Sequence, residues 1–432
     1  MRSAFAQTAV AALLLTAGFA ALAATSQDSH AAGDVEEARV ALARTTMPAV
    51  FDALAPVTLS SADDEPGRAG LIAGRMLWRS AADRVGRDLM QGAGDDRPLY
   101  WQRLAALRAA RAECAPHPEA ARLQSERQSA PSGELERNLQ AGAQPEALSP
   151  DTACSEMLTA FEAASRGMAD VIFDAASDVK VLVTGFDPFL LDRDLTQSNP
   201  SGVAALYLDD ARLLVNGRRI EIQTLVVPVR FADFDEGLIE KEIVPLALRH
   251  RVDLLITVSM GRDGFDLERF PGRRRSASAP DNRNLLTGGS SEAPVLPRLD
   301  DEPLAGPEFV EFTLPAAAMV SAHGAPGSAA QTHYGIRDNR TVTTLEDGTL
   351  EASDLAALSD RTAVRGGGGG YLSNEISYRV LNALTGVADA PRSGHIHTPR
   401  ISGHDADALR GIVLQTEALV RAAALAIDSA QD

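Results

Sequence analysis

The distribution of apolar residues divides the chain into two parts with different periodicity. Over residues 35–176, apolar side chains recur at three- and four-residue spacing among many Ala, Leu, Arg and Glu residues, as in amphipathic helices. Further on, Val179–Phe186 and Asp253–Met260 are nearly continuous apolar runs of the length that buried parallel strands have. The pattern therefore predicts an all-α N-terminal domain over residues 25–177 and an α/β domain over residues 178–432.

The second part alternates predicted strands with predicted helices. Between the two apolar runs we predict a helix over Ala204–Leu214, a turn at Asn216-Gly217, a strand over Ile220–Val229 and a helix over Phe231–Arg249. This alternation predicts a mostly parallel, open sheet flanked by helices. Such sheets bind ligands beyond the carboxyl ends of their strands, so the loops 187–201 and 261–282 are expected at one edge.

The first 24 residues have the features of a secretory signal peptide. Arg2 precedes an apolar segment, and Ala21-Leu22-Ala23 fits a small-x-small cleavage site. The segment is short for a membrane span and has no stop-transfer flank. We therefore expect a secreted or periplasmic protein, in which Cys114 and Cys154 form a disulfide or remain inert thiols.

The charge balance limits the classes of partner. The 432 residues include 41 Lys and Arg against 59 Asp and Glu, which gives a formal charge of −18. This charge argues against nucleic acid, and against an anionic membrane after signal cleavage. The oligomeric state stays open, and a homo-oligomer is compatible with the sequence.

The stretch Gly366–Asn374 carries the first candidate for chemistry. Five glycines precede Tyr371-Leu372, and an apolar-periodic segment follows Ser373. Such a segment predicts a helix whose first N–H groups and positive dipole end would suit a nucleophile that generates an oxyanion. Two other interpretations are a simple Ser cap of the helix and a phosphate-binding loop. The second is disfavoured because neither a Walker Lys-Ser/Thr nor GxGxxG is present.

Two further residues complete a nucleophile, base and orienting acid. His397 is the candidate base and Glu268 the candidate acid that would orient it. His395 would share a strand face with His397, which raises the question of a metal site. Because no further Cys, His or acidic cluster stands at ligand spacing, we expect neither a metal nor a cofactor.

Six short motifs in order give residues of about 179–402 a resemblance to the pyroglutamyl peptidase I (pyrrolidone-carboxylate peptidase) family. They are VLVTGFDPF with NPSG, the segment Val258–Arg269, Pro280-Asp281-Asn282, Thr313-Leu314-Pro315, GGYLSN and SGHIHTP. The resemblance covers about half of the chain and none of the helical N-terminal part. It implies a pyrrolidone-carboxylate-peptidase-like fold and hydrolysis of an N-terminal pyroglutamyl or similar residue from a peptide substrate.

The resemblance also assigns roles to individual residues. Glu268 and His397 match the catalytic Glu and His of the family, and Ser373 occupies the place of its catalytic Cys. The residues that match its substrate pocket are Phe186, Phe189, Asn199 and Tyr371. Apolar rings on either side of a flat lactam would desolvate it.

Four positions depart from the motifs of the family. They are Ser373 in place of Cys, Val258 in place of Gln, Ser278 in place of Arg (with Arg273, Arg274 and Arg275 close by), and Leu191 in place of Gly. A hydroxyl, unlike a thiol, needs the imidazole to remove its proton during attack. The other departures put specificity for pyroglutamate in question.

Two functions follow from these observations. The first is an exported peptidase with a Ser-His-Glu arrangement. The second is a non-catalytic protein that binds a ligand or peptide on the same fold. For the helical N-terminal part, the sequence leaves a pro-segment, a lid over the pocket and a partner-binding module as alternatives.

Overall fold

The computed structural model describes residues 35–60, 65–114, 150–322 and 334–427. The predicted signal peptide, residues 1–24, and a polar break predicted around residues 117–142 lie outside these ranges. Val35–Asp432 falls into one compact unit, in which the helical segments and the α/β segments share a hydrophobic core. Across the residues described, no helix combines the length and apolar character needed to cross a membrane.

The described residues contain twelve strands. They are β1 (Val179–Phe186), β2 (Ala211–Val215), β3 (Arg218–Val227), β4 (Leu254–Met260), β5 (Phe265–Glu268), β6 (Arg298–Leu299), β7 (Glu302–Pro303), β8 (Ile336–Asn339), β9 (Thr341–Thr344), β10 (Gly348–Glu351), β11 (Ala363–Arg365) and β12 (Arg392–Thr398).

Seven of these strands form one sheet in the order β2-β3-β1-β4-β12-β5-β8. The pairs β1–β3, β1–β4, β4–β12 and β5–β8 are parallel, whereas β2–β3 and β5–β12 are antiparallel. The strands β10-β9-β11 form a smaller sheet, and β6 pairs with β7. The predicted α/β class with a mostly parallel, open sheet is confirmed.

The helices of the same residues surround this sheet. They are α1 (Val35–Ala38), α2 (Val40–Thr46), α3 (Pro48–Asp52), α4 (Pro66–Asp88), α5 (Arg97–Cys114), α6 (Pro150–Ala164), α7 (Pro200–Leu208), α8 (Phe231–Asp235), α9 (Val244–His250), α10 (Ala316–Val320), α11 (Leu372–Leu384) and α12 (Ala406–Leu425). A π-helical turn, Leu238–Ile243, stands between α8 and α9.

Both faces of the central strand β1 are covered. Val181 and Val183 belong to a core that also contains residues of α4, α7 and α12. Leu182 and Phe186 belong to a second core with residues of α8, α9 and α11. A strand buried on both faces reads as a continuous apolar run, which is why the sequence predicted its bounds correctly.

The helix predicted over Ala204–Leu214 is wrong in its second half. Asn199 caps α7 by accepting a hydrogen bond from the Ser201 N–H, and α7 ends at Leu208. The chain then forms the edge strand β2, which turns into β3 at Asn216-Gly217 with φ values of 52° and 81°. Two positive φ values match the twist of a tight hairpin, so the predicted turn is confirmed as part of a hairpin.

The helical N-terminal segments are joined to each other and to the sheet. Cys114 of α5 and Cys154 of α6 form a disulfide across 40 residues of chain, which is the first of the two alternatives expected for them. Trp78 and Trp101 are fully buried. The Trp78 indole donates to Asp209 Oδ2 at 2.7 Å, so it also links α4 to the end of α7.

Candidate active site

Glu268 and His397 form a buried carboxylate–imidazole pair. They lie on the adjacent antiparallel strands β5 and β12, where Asp266 is the register partner of His397. His397 Nδ1 is 2.5 Å from Glu268 Oε1, and Glu268 Oε2 accepts a hydrogen bond from Asn339 Nδ2 at 2.8 Å. With both carboxylate oxygens held, Glu268 fixes the ring orientation and leaves Nε2 as the nitrogen for proton transfer.

Ser373 lies in the first turn of α11 and does not cap it. The N-cap residue is Tyr371, which makes no side-chain capping bond. The Ser373 hydroxyl donates instead to Gly368 O, at 3.1 Å. The interpretation of Ser373 as a simple helix cap is therefore wrong. Asn374 N–H and Glu375 N–H donate to Tyr371 O, at 3.0 and 3.1 Å, which leaves the N–H groups of Leu372 and Ser373 as the candidate donors for an anion at this helix start.

The glycine run before Ser373 allows a close approach to Glu268. A Cβ at Gly367 would stand 2.5 Å from Glu268 Oε2. Gly369 has a φ of 89° and exchanges two hydrogen bonds with Gly366, which closes the loop tightly. A side chain at Gly367 would push the loop away from the carboxylate. The glycines thus bring the start of α11 to the end of β5.

A small cavity collects Ser373 and all four predicted substrate-binding residues. Its volume is about 30 Å³, and its lining is Phe186, Phe189, Asn199, Val229, Ser259, Met260, Tyr371, Leu372 and Ser373. The rings of Phe189 and Tyr371 stack with centroids 6.3 Å apart. A cavity of this size has room for only a few water molecules. A ligand ring can therefore enter only if part of the wall moves.

His397 stands beside this cavity. Ser259 and Met260, which line it, are the register partners of His397 and Thr398 on the parallel pair β4–β12. Among the described residues, no hydrogen bond joins Ser373 to His397, because the hydroxyl is turned to Gly368 O. Proton transfer between the two side chains would require the Ser373 hydroxyl to turn away from Gly368 O, and catalytic contacts of this kind commonly tighten only when substrate binds.

Two of the predicted pocket residues have their polar groups occupied. Asn199 donates from Nδ2 to Asp187 O at 2.9 Å and accepts from Ser201 through Oδ1. The Tyr371 hydroxyl donates to Pro280 O at 2.8 Å, and burial raises the pKa of Tyr371 well above its ordinary value. Both residues therefore shape the wall of the cavity, with the Asn199 amide oxygen and the Tyr371 hydroxyl proton engaged within the fold.

The arginines near the Ser278 departure do not supply a charge to the cavity. Arg275 is buried and makes paired contacts to Glu375 and Asp235, whereas Arg273 and Arg274 both bind Glu308. None of the three is among the cavity-lining residues described above. A ligand in this cavity meets apolar rings and hydroxyl groups.

A second hydroxyl–imidazole contact, at His395, was not predicted from the sequence. Ser259 Oγ is 2.7 Å from His395 Nε2, and Thr257 Oγ1 is 2.8 Å from His395 Nδ1. His395 is completely buried, and burial lowers its pKa well below its ordinary value. Both ring nitrogens already have partners, which disfavours a metal between His395 and His397. The alternation of polar residues on β4 was the signal for this contact.

The N-terminal helices contribute contacts to the site that were not predicted from the sequence. The Asp187 carboxylate, directly after β1, is buried between Arg103 of α5 at 3.0 Å and Arg166 at 2.6 Å. Arg39, the residue before α2, donates a hydrogen bond to Asn282 O at 2.6 Å. The helical part therefore contacts both the loop after β1, which carries Phe189 of the cavity lining, and the loop around Asn282.

Asp96 attaches the N-terminal part to the start of α7. Its carboxylate accepts hydrogen bonds from the Ser198 hydroxyl and, at 3.0 Å, from the Asn199 N–H. Burial, with a smaller contribution from Asp95, raises the pKa of Asp96 to about 8, although these hydrogen bonds oppose the shift. The raised pKa favours the protonated form of Asp96 in the folded protein at neutral pH.

This pKa predicts a pH dependence of stability. The folded-state pKa is above the ordinary value of 3.8, so the stabilisation is present below about pH 4 and is lost as pH rises through about 8. Asp96→Asn is expected to flatten the fall in urea midpoint between pH 5 and pH 8.5. Asp151→Asn, at an exposed position, should retain the wild-type slope. Equal slopes for wild type and Asp96→Asn would contradict the assignment.

Comparisons with known proteins give the following similarities. The family described as "PA0049, C-terminal domain" matches residues 180–300. The uncharacterized protein PA0049 of Pseudomonas aeruginosa is 29% identical over 415 residues, which cover 77% of this chain and 69% of that protein. A mutant pyrrolidone carboxyl peptidase of Pyrococcus furiosus is 20% identical, covers 58% of this chain and 100% of its own, and has a TM-score of 0.38. Pyroglutamyl peptidase I of Bacillus amyloliquefaciens is 20% identical, with coverages of 57% and 95% and a TM-score of 0.37.

Proposed function

We propose that the protein is a peptidase that releases an N-terminal pyroglutamyl or similar ring-bearing residue from peptides. Ser373 is the nucleophile, His397 the general base and acid, and Glu268 the residue that orients His397. The observation that carries the proposal is the buried 2.5 Å contact between His397 and Glu268, next to the cavity that Ser373 lines. The six sequence motifs support the same assignment.

In the proposed reaction, the substrate carbonyl lies over Ser373 with its ring in the aromatic cavity. His397 Nε2 takes the proton of the Ser373 hydroxyl as Oγ attacks the carbonyl carbon. His397 then gives this proton to the amine nitrogen as the bond between the carbonyl carbon and that nitrogen breaks. The N-terminal residue remains attached to Ser373 as an acyl-enzyme. Water then gives a proton to His397 and attacks the ester carbon. The bond from that carbon to Ser373 Oγ breaks, His397 returns the proton to Oγ, and the N-terminal residue leaves as its free acid. N–H groups at the start of α11 hold the oxyanion in both halves.

The size of the cavity adds a requirement to this reaction. A ring is larger than the few water molecules that about 30 Å³ can hold, so the wall must open. Phe189 is the partly buried ring on the loop after β1, and Phe186 is almost fully buried in the core. We therefore assign the opening to the loop that carries Phe189. Closure over the ring would then exclude water from the acylation step.

A Ser-directed fluorophosphonate tests the nucleophile. We expect stoichiometric labelling of wild type at Ser373 and none of Ser373→Ala, because attack on phosphorus needs the hydroxyl and its base. Ser377→Ala is the matched control, since Ser377 is a buried hydroxyl one turn later in α11. It should label like wild type. Equal labelling of Ser373→Ala would place the nucleophile elsewhere.

The same experiment separates the peptidase from the non-catalytic alternative. The observation that favours a binding protein is the Ser373 hydroxyl turned away from His397 to Gly368 O. A wild-type protein that resists the fluorophosphonate, yet binds pyroglutamate in calorimetry, would be a binding protein. Release of aminocoumarin from pyroglutamyl-coumarylamide, beside a panel of aminoacyl-coumarylamides, identifies the preferred N-terminal residue.

We further propose that the protein is exported. The disulfide between Cys114 and Cys154 supports this, because such bonds persist in oxidising compartments. Fractionation of cells that express the full chain, with an N-terminal sequence of the mature protein, would test both the compartment and the removal of the predicted signal peptide, residues 1–24.

A further inference from the structure

Ser259 is a cavity hydroxyl that the proposed reaction does not use. It stands at the carboxyl end of β4, lines the cavity together with Ser373, and is 4% exposed. Its Oγ is 2.7 Å from Nε2 of His395, the buried imidazole of β12. The other ring nitrogen of His395 is 2.8 Å from Thr257 Oγ1. The three side chains form a continuous line of hydrogen bonds that ends at the cavity.

The donors and acceptors around Thr257, His395 and Ser259 determine which atom carries each proton. Thr257 Oγ1 also lies 3.2 Å from Gly394 O, which can only accept, so the threonine proton belongs there. Thr257 then accepts the proton of His395 Nδ1. A neutral imidazole carries one proton, which leaves Nε2 as an acceptor for the Ser259 hydroxyl. The reverse assignment leaves the contact to Gly394 O without a proton.

The direction of the hydrogen bond from the Ser259 hydroxyl to His395 Nε2 determines what Ser259 offers a ligand. Its own proton is committed to His395, so Ser259 Oγ presents only lone pairs to the cavity. The rest of the lining consists of apolar rings, aliphatic groups, the nucleophile, and Asn199 and Tyr371, whose amide oxygen and hydroxyl proton are engaged within the fold. An acceptor held in this largely apolar lining favours ligands that carry an N–H donor at that point.

We propose that Ser259, positioned by His395, is a specificity-determining residue that accepts a hydrogen bond from the ring N–H of the bound N-terminal residue. This inference rests on the proposed function, and it names the substrate class as rings with an amide N–H, such as lactams. Rings of the same shape without the N–H leave the Ser259 acceptor unpaired and are poor substrates.

The test compares a lactam with its oxygen isostere. Pyroglutamyl-coumarylamide and the corresponding lactone, in which oxygen replaces the ring N–H, are assayed with wild type and Ser259→Ala. We expect wild type to prefer the lactam by about 10- to 100-fold in kcat/KM, the usual effect of one unpaired buried polar group. Ser259→Ala should lose the preference because the rate with lactam falls and the rate with lactone does not.

His395→Phe supplies the readout that a merely structural role would not move. Without Nε2, the Ser259 proton is free to turn into the cavity, so the preference should shift towards the lactone, which only accepts. Thermal unfolding must show that His395→Phe is folded. If it is not, the comparison of wild type with Ser259→Ala tests the proposal without it. Equal losses for both substrates in Ser259→Ala, or no preference in wild type, would overturn the proposal.

Calorimetry separates this inference from the proposed reaction. Pyroglutamamide and its lactone counterpart are titrated into Ser373→Ala and into Ser373→Ala with Ser259→Ala. Tighter binding of the lactam that disappears with Ser259→Ala supports the role of Ser259, even if wild type hydrolyses neither coumarylamide and the peptidase proposal fails. Absence of lactam binding by Ser373→Ala would overturn the role of Ser259.

Discussion

Glu268→Gln is expected to lower kcat for pyroglutamyl-coumarylamide by about 10⁴-fold, the effect that a reversed imidazole tautomer has in related arrangements. The reason is that Asn339, which donates a hydrogen bond to the Glu268 carboxylate, has a fixed amide orientation. Asn339 Nδ2 donates to Glu268 Oε2, and the Thr341 N–H donates to Asn339 Oδ1 at 3.2 Å, which fixes the orientation of the Asn339 amide.

That orientation dictates how glutamine must sit. Its NH₂ group cannot face the Asn339 NH₂ group, so its oxygen takes that side and its NH₂ group faces His397 Nδ1. His397 Nδ1 must then accept, and the ring proton moves to Nε2. In this tautomer His397 cannot take the Ser373 proton, and the base of the proposed reaction is lost while the volume of the side chain is conserved.

Asn339→Asp in the Glu268→Gln background provides the rescue. Aspartate accepts from the glutamine NH₂ group, which lets the glutamine oxygen turn back to His397 Nδ1 and restores the working tautomer. We expect the double variant to recover part of kcat, and Asn339→Asp alone to be impaired because two carboxylates then face each other. The kinetics are read with thermal unfolding of each variant. A Glu268→Gln protein within tenfold of the wild-type kcat would contradict the assigned role.

The parts of the site that the sequence predicted are those carried by local patterns. The run Val179–Phe186 predicted a strand with correct bounds because both of its faces are buried. The apolar period after Ser373 predicted α11, and the motifs placed Glu268 and His397 in one site. These two residues are 129 positions apart in sequence, so only the resemblance could join them before the structure was known.

The missed features depend on contacts between distant segments. β5 is a four-residue strand inside a stretch predicted as a loop, and its place between β12 and β8 is set by pairing with strands far along the chain. The line from Thr257 through His395 to Ser259 spans two strands, 136 to 138 positions apart. No local periodicity contains that information. The Asp187 contacts to the helical part are of the same kind.

The contacts of the helical N-terminal part help to choose among the three roles left open for it, namely a pro-segment, a lid over the pocket and a partner-binding module. The structure places it against the loops of the site, through residues that are buried and charged. Arg230 contacts Glu36 and Glu162, Tyr100 donates to Glu36 Oε1 at 2.9 Å, and Arg103 contacts Asp187. Charged groups are seldom buried unless they are paired, so removal of this part would expose or orphan several of them. A separable pro-segment is the alternative that these contacts disfavour.

Arg103→Met is expected to lower the free energy of unfolding by about 3–5 kcal/mol, the usual cost of removing one partner of a buried ion pair. The Arg103 side chain is 1% exposed, and burial, with the charge of Arg166, lowers its pKa to about 10. Methionine fills a similar volume but leaves Arg166 as the remaining arginine partner of the Asp187 carboxylate. Urea unfolding measures the loss.

The matched control is Arg79→Met, which breaks a two-bond contact to Asp170 from an arginine side chain that is 63% exposed. A solvated pair of this kind should cost less than about 1 kcal/mol. Because Asp187 begins the loop that carries Phe189, Arg103→Met should also raise KM for pyroglutamyl-coumarylamide more than it lowers kcat. A loss of stability no larger than that of Arg79→Met would show that Arg166 alone holds the loop, and that α5 contributes packing and no electrostatic anchor to the site.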